Sequence, residues 1–313
     1  MVAKPIVIDC DPGADDAIAL FLALAFPEHL NVLGITTVAG NVPLSLTQKN
    51  ARALCELMSV DVPVYAGCPR PLLRPLLTAE DVHGKTGLDG IHLPEPQMPL
   101  QEQHAVDFLI ETLLRSTHKI TLATLGPLTN IAIALIKVPA ICQHIQEIVM
   151  MGGALTQGNI TPSAEFNLYV DPHAAHVVAT AGVPLTIMSL DVTHQAIATP
   201  ERLHGIRAIN SPISAATLGL LNHYGAYEMQ RHGFPGPPLH DPCVIAYLLQ
   251  PALFTTSRAY VAIETTSELT MGRTVVDRNH VTNAPPHANI AETIDVEGFY
   301  QLLTRAIAKL SES

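Results

Sequence analysis

Residues 6–20, IVIDCDPGADDAIAL, gather Asp9, Asp11, Asp15 and Asp16 around a single Pro-Gly turn. An apolar run precedes Asp9 and another follows Asp16, so the acids fall where a strand ends and a helix begins. Acids in a first helical turn favour the macrodipole by about 0.3–1 kcal/mol each, which accounts for one or two of them. Two carboxylates about 4 Å apart repel by about 4 kcal/mol at an effective dielectric near 20. A turn that concentrates three must share a proton or hold a cation, so capping and metal binding both stand as readings. Strand alternation would set Asp9 and Asp11 on one face. Ligands that are all oxygen select a hard ion, Ca²⁺ or Mg²⁺, over zinc. Ca²⁺ takes six to eight oxygens and would recruit more from elsewhere in the chain.

Two later segments offer them. In LHDPCVIAYLL, residues 239–249, Asp241 suits an N-cap and Pro242 the first helical position. Beside a cation, the same dipeptide supplies a carboxylate ligand and, in His240, an imidazole that titrates near neutral pH. In GNITPSAEFNLYVDP, residues 158–172, Asn159, Glu165 and Asn167 group amides and a carboxylate at short spacing. Such a set suits a polyhydroxylated ligand, because a site built to pair hydroxyls rejects analogues lacking them. Asp171, before Pro172, reads as a helix cap.

The elements that must position these groups follow from periodicity. Strands are predicted near 5–9, 32–38, 119–124, 146–151 and 184–190. Helices are predicted near 15–26, 44–58, 104–116, 128–137, 172–181, 242–249 and 296–310. Continuous apolar strands separated by helices imply an α/β fold, a single Rossmann-like domain over residues 1–313 with a mostly parallel central sheet flanked by helices. Residues 257–277 alternate as extra strands would, in a hairpin. Pro-rich stretches at 67–76 and 93–99 read as loops. The polar segments follow predicted strands, so they gather at one rim of the sheet, where such folds bind ligands.

Composition narrows the function classes. The 313 residues are 48% hydrophobic and 14% charged, enough for a large core, and the net charge of −11 with no Lys/Arg run argues against nucleic acid or an anionic membrane as partner. The longest apolar run, residues 17–26, is about half a membrane span. The acidic motif arrives too early for a signal peptide. Five scattered cysteines without a CxxC pair suit a reducing, cytoplasmic setting.

Taken together, DCDPGADDA, TTVAGN, LGPLTNIA, MGGA, GNITPSAEFN, LDVTHQA and HDPC resemble the inosine-uridine preferring nucleoside hydrolase family, from Pro5 to the last helix. The resemblance implies hydrolysis of the N-glycosidic bond of ribonucleosides with a bound Ca²⁺. It implies Asp11 as metal ligand and general base for a water on the metal. Asp16, Asp241 and the backbone carbonyl of Leu125 become further ligands. It assigns ribose contacts to Asp15, Asn41, Asn159, Glu165 and Asn167, the sugar pocket to Met151, and the leaving-base side to His240 and His83. It also implies a homo-oligomer, tetramer or dimer.

Two departures stand out. Lys85-Thr86 occupies a place where the family commonly has Glu-Ser, bringing a cation near the mouth of the site unless it points to solvent. The chain has no tryptophan, which disfavours the purine-specific branch and leaves a pyrimidine or mixed preference, with Tyr224 and Tyr227 as a wall over the base or simply one face of a helix. Two rivals remain at this stage. A haloacid dehalogenase-type Mg²⁺ phosphatase also begins with Asp-x-Asp, but would need Thr or Val where Gly13 stands. A non-catalytic nucleoside or sugar sensor would need neither the acids nor His240.

Overall fold

The computed structural model describes residues 2–312. The first half of the chain runs β1 (Lys4–Cys10), α1 (Ala14–Leu24), β2 (Leu30–Thr37), α2 (Leu44–Leu57), β3 (Val64–Ala66), α3 (Glu80–His83), α4 (Ala105–Arg115), β4 (Ile120–Thr124), α5 (Thr129–Lys137) and β5 (Ile145–Met151). The second half runs α6 (Phe166–Val170), α7 (Pro172–Thr180), β6 (Leu185–Met188), α8 (Leu190–Thr193), α9 (His204–Ile209), α10 (Pro212–His232), α11 (Pro242–Leu249), β7 (Phe254–Ile263), β8 (Thr274–Asp277), β9 (Ala288–Ile294) and α12 (Val296–Ser311). The strands form one sheet in the order β3-β2-β1-β4-β5-β6-β9-β7-β8. Pairing is parallel from β3 to β9, and the last two pairs, β9 with β7 and β7 with β8, are antiparallel.

Alternation along β1 separates two apolar layers. Ile6, Ile8 and Cys10 pack with Phe21, Leu54, Ile245 and Phe299 on one face. Val7 packs with Leu109, Ile131 and Val178 on the other. Both faces of the sheet are thus covered by helices, which is why the inner strands read as unbroken apolar runs.

The structure differs from the sequence reading at several elements. The strand expected over 184–190 ends at Met188, because residues 190–193 turn into α8. The expected hairpin forms as β7–β8, but β7 also pairs along β9, a strand that periodicity did not mark. Its sequence, ANIAETI, breaks up two isoleucines and a threonine with Ala, Asn and Glu, which strands disfavour. The helix α10 was visible only as a face bearing tyrosines. It starts at a Ser211 capping box with Pro212 behind it and ends on Gly233 at φ 71°. Its inner side carries both the core residues Leu220 and Leu221 and the polar residue Glu228, which blurs an apolar stripe.

One buried amide ties the site-bearing ends of the sheet together. Asn130, at the start of α5, donates through Nδ2 to Asp9 Oδ1 (2.8 Å) and to the Thr37 carbonyl (3.0 Å), and its Oδ1 accepts from the Cys68 N–H (2.8 Å). Replacing it strands several buried partners, each worth about 1–3 kcal/mol when left unpaired. Asn130→Ala is therefore expected to lower the unfolding free energy by about 3 kcal/mol or more, measured by urea denaturation.

Candidate active site

The turn after β1 is built from its own backbone. Asp16 accepts at Oδ1 from the Asp11 N–H (3.1 Å) and at Oδ2 from the Gly13 N–H (2.9 Å) and Asn41 Nδ2 (3.1 Å). The capping reading therefore holds for Asp16. It does not hold for Asp241, which stands at the N-cap of α11 but makes no side-chain cap bond. Asp171 does cap α7, accepting from the Ala174 N–H (3.0 Å).

Asp15, Asp16 and Asp241 converge. Each offers a carboxylate oxygen, and these oxygens lie within 4.8 Å of one another, all three residues buried. Asp11 is not one of the three, although its charge raises the pKa of Asp241. Asp11 is buried; its Oδ2 accepts from the Asn41 N–H (2.7 Å), while its Oδ1 has no protein partner. The glycines of AGN and LGP press on it: a Cβ at Gly40 would lie 2.1 Å from Oδ2, and one at Gly126 2.2 Å from Oδ1. Asp9 stands apart, bonded to Thr36 and Asn130. The alternation that would pair it with Asp11 stops at Cys10, where β1 ends.

Burial drives the electrostatics. It pushes the Asp15 carboxyl up to about 7, with the Asp16 charge adding to it. Burial, then the neighbouring carboxylates, pushes Asp11 and Asp241 well above the carboxylate range. Asp16 is also raised by burial, against the pull of the backbone N–H groups that bind it. Among the described residues, no Lys or Arg forms an ion pair with any of the four. Hard oxygen donors, mutual repulsion and an unpartnered Oδ1 are what a divalent cation satisfies. The donor set therefore fits one.

The pocket beside the cluster is lined by Asp15, Asn41, Leu125, Met151, His240 and Asp241 together with the 159–167 loop. Asn167 Nδ2 donates to the Leu125 carbonyl (2.7 Å). Glu165 accepts from the N–H groups of Asn167 (2.7 Å), Gly153 (3.0 Å) and Leu168 (3.2 Å), so it caps α6 while lining the pocket. Asn159 Oδ1 accepts from the Phe166 N–H (2.9 Å). Asp15, Asn41, Leu125 and the 159–167 loop follow β1, β2, β4 and β5, while His240 and Asp241 come from the α10–α11 connection, yet all meet in one pocket.

The far side of the pocket belongs to α3 and α10. His83 Nδ1 accepts from the Ala14 N–H (3.2 Å), and its ring stacks on Tyr224 with centroids 5.5 Å apart. Burial, with repulsion from His223 second, pushes the His83 ring down to about 4. At neutral pH His83 is thus uncharged, with its proton on Nε2. Tyr224 is buried; Tyr227 is half-buried, accepts from Arg231 Nη1 (2.7 Å) and donates to Asp81 Oδ2 (3.5 Å). His240 Nδ1 is hydrogen-bonded to Thr193 Oγ1 (2.7 Å).

Sequence reasoning passed over Glu228, which is buried in the pocket wall and pushed up to about 7 by burial. Its signal was available: it follows Tyr224 by four residues and shares its helical face. Lys85 turns out to be exposed and outside the pocket lining. Asp89 holds its turn, accepting from the Lys85 and Thr86 N–H groups (both 3.2 Å). The departure from Glu-Ser therefore puts no cation among the substrate-facing groups.

An α/β sheet with a buried carboxylate cluster opening onto a polar-lined pocket at one rim has the layout of an α/β enzyme site. The family is explicit: the chain belongs to the inosine-uridine preferring nucleoside hydrolase family, whose model matches residues 6–301. It is 48% identical to the pyrimidine-specific ribonucleoside hydrolase RihA of Shewanella sp. (strain MR-7), over 98% of this chain and 97% of that protein. It is 46% identical to RihA of Salmonella typhimurium, over 98% and 99%. Its fold matches a purine-preferring ribonucleoside hydrolase from Gardnerella vaginalis with a TM-score of 0.92 at 30% identity, covering 99% of both chains. Neither the family nor these relatives support a phosphatase or a sensor.

A cation at this cluster displaces protons, which gives a test. Carboxyls whose folded-state pKa exceeds the unfolded value hold protons in the native state between about pH 4 and 7. Without a cation, their contribution to stability falls as pH rises through that window. Ca²⁺ competes with those protons. Millimolar Ca²⁺ is therefore expected to raise Tm by several degrees, roughly 5 °C, at pH 7.5 and by much less at pH 5 in differential scanning fluorimetry. In Asp241→Asn the rise at pH 7.5 should largely vanish.

Proposed function

We propose that this protein hydrolyses the N-glycosidic bond of ribonucleosides, releasing ribose and the free base. The observation that carries the reading is the meeting, in one pocket, of the Asp15–Asp16–Asp241 cluster with the Asn159–Glu165–Asn167 wall. Asp11, Asp16, Asp241 and the Leu125 carbonyl would hold the cation, which we take to be Ca²⁺. When bound, it neutralises the buried carboxylates, lowers the pKa of a water and orients the ribose diol.

The chain's own residues do the rest. Asp15 and Asn41 accept and donate at the 2′/3′ hydroxyls, and Asn159, Glu165 and Asn167 hold the remaining hydroxyls over Met151. Fixing the sugar this way presents C1′ to a water whose proton Asp11 accepts. The surrounding carboxylates stabilise positive charge as it develops at C1′. The C1′–N electron pair leaves with the base, and His240 delivers a proton to it. His83, uncharged at neutral pH with its proton on Nε2, acts as a fixed hydrogen-bond donor rather than a proton source. Tyr224 and Tyr227 form the wall against the base.

The substrate preference is pyrimidine or mixed. The RihA relatives are named for pyrimidine specificity, and the absence of tryptophan denies the site an indole sandwich for purines. We place the protein in the cytoplasm as a homo-oligomer, tetramer or dimer. All five cysteines are free thiols, and among the described residues no helix is long and apolar enough to cross a membrane.

Uridine, cytidine and inosine turnover, followed by loss of nucleoside absorbance and by ribose release, tests this reading. Wild-type protein should yield equimolar ribose and base, and a chelator should abolish the activity. Asp11→Ala should lose about 10²–10⁴-fold in kcat with an unchanged circular dichroism spectrum. Near-wild-type turnover in that variant would refute the base assignment.

A further inference from the structure

The motif LDVTHQA takes no part in the chemistry above, yet it packs directly behind it. Its first four residues form α8, and Thr193, the last of them, is completely buried. Its hydroxyl lies 2.7 Å from His240 Nδ1. We propose that Thr193 is a positioning residue: its hydroxyl holds the His240 ring by Nδ1 so that Nε2, on the opposite edge, meets the departing base. This inference rests on the reading of His240 as the group that serves the leaving base.

The backbone around both residues is set independently of that bond. Residues 196–198 pair with 237–239: the Ala198 N–H donates to the Pro237 carbonyl (2.8 Å), and the Leu239 N–H to the Ala196 carbonyl (3.0 Å). Ile197 and Pro238 form an antiparallel bridge between them. This short ladder places the Cα of His240 beside α8. The helix α8 is itself tethered, since the Leu190 N–H donates to the Gly153 carbonyl (2.9 Å) and Asp191 accepts from the Leu155 N–H (2.8 Å) and Thr156 Oγ1 (2.7 Å). Gln195 Nε2 donates to the Glu292 carbonyl (2.8 Å).

What a backbone ladder cannot fix is rotation of the imidazole about its last torsion, which has a broad preference. A hydrogen bond at one ring nitrogen does fix it. The other ring nitrogen then has one defined direction. The His194 ring, at 5.5 Å between centroids, packs against His240 from the same segment. In this geometry α8 carries two duties: Asp191 holds the loop that leads to the sugar wall, and Thr193 holds the ring on the base side.

The test separates ring positioning from general damage by varying the leaving group. Thr193→Val is isosteric and lacks the hydroxyl; Thr193→Ala, which cannot overpack, serves if the valine variant does not fold; Thr193→Ser restores the hydroxyl. On uridine, Thr193→Val should lose about 10–100-fold in kcat with KM changed less than about threefold, and Thr193→Ser should recover most of it. On p-nitrophenyl riboside, whose leaving group departs without a proton, Thr193→Val should keep wild-type kcat. Retention of uridine turnover by Thr193→Val, or an equal loss on both substrates, overturns the proposal. Wild-type protein that cleaves neither substrate overturns the hydrolase reading itself, and this inference with it.

Discussion

Buried like charge is the constraint around which this molecule is organised. Asp11, Asp15, Asp16 and Asp241 all lie out of water, and no protein cation answers them among the described residues. Burial alone drives their protonation equilibria upward, and each carboxylate raises its neighbours further. A native state cannot keep such a group ionised without an opposing charge. The chain nevertheless invests in ionised geometry there: backbone N–H groups of Asp11 and Gly13 aim at Asp16, and the N–H of Asn41 aims at Asp11. Donors arranged for anions that repel one another fit a site that a cation would complete.

The surrounding fold serves to hold those anions still. The sheet brings the loops after β1, β2 and β4 side by side, so AGN and LGP clasp Asp11 with glycines that leave no room for a Cβ. Asn130 and Asn41 do related work one layer apart. Asn130 binds together Asp9, Thr37 and Cys68; Asn41 bonds to both Asp11 and Asp16. Because these loops are anchored at adjacent strand ends, a small change in sheet register would move Asp11 and the glycines that clasp it together. Preorganisation of this kind spares the reaction a reorganisation cost when charge appears at C1′.

Much of this was legible in the sequence, for definite reasons. Continuous apolar strands revealed the two-sided sheet, since Ile6, Val7 and Ile8 must each find a hydrophobic partner on alternate faces. The density of acids at 9–16 exceeded what capping requires, and that excess pointed to the carboxylate cluster that could hold a metal. Other features left little trace. The Leu125 carbonyl accepts from Asn167 Nδ2, a backbone contact about which the leucine side chain says nothing. The strand β9 intersperses its isoleucines and threonine with Ala, Asn and Glu, and α10 mixes core and pocket residues on one side, so neither shows a clean period. Thr193 becomes meaningful only when tertiary contacts set it behind His240, whereas Glu228, in the pocket wall, is marked in the sequence only by its spacing from Tyr224. Lys85 left two readings open in the sequence, a cation at the mouth of the site or a solvent-facing side chain, and it lies on the exposed surface.

The pocket has two ends with different structural origins. The end we propose for the sugar is made by loops at the sheet rim and is tied into the cluster, so alteration there disturbs the charge balance on which the site depends. The end we propose for the base is made by α3 and α10, whose groups Asp81, Tyr227 and Arg231 bond to one another across the mouth. Proteins named for opposite base preferences share this architecture, one of them superposing with a TM-score of 0.92. A preference that differs while the sheet stays constant must lie in side chains that the sheet does not fix. The wall of Tyr224, Tyr227 and Glu228 meets that condition, because one helix presents all three and its register can carry other residues without moving a carboxylate of the cluster. Dividing the pocket this way lets one charge-balanced centre serve different leaving groups.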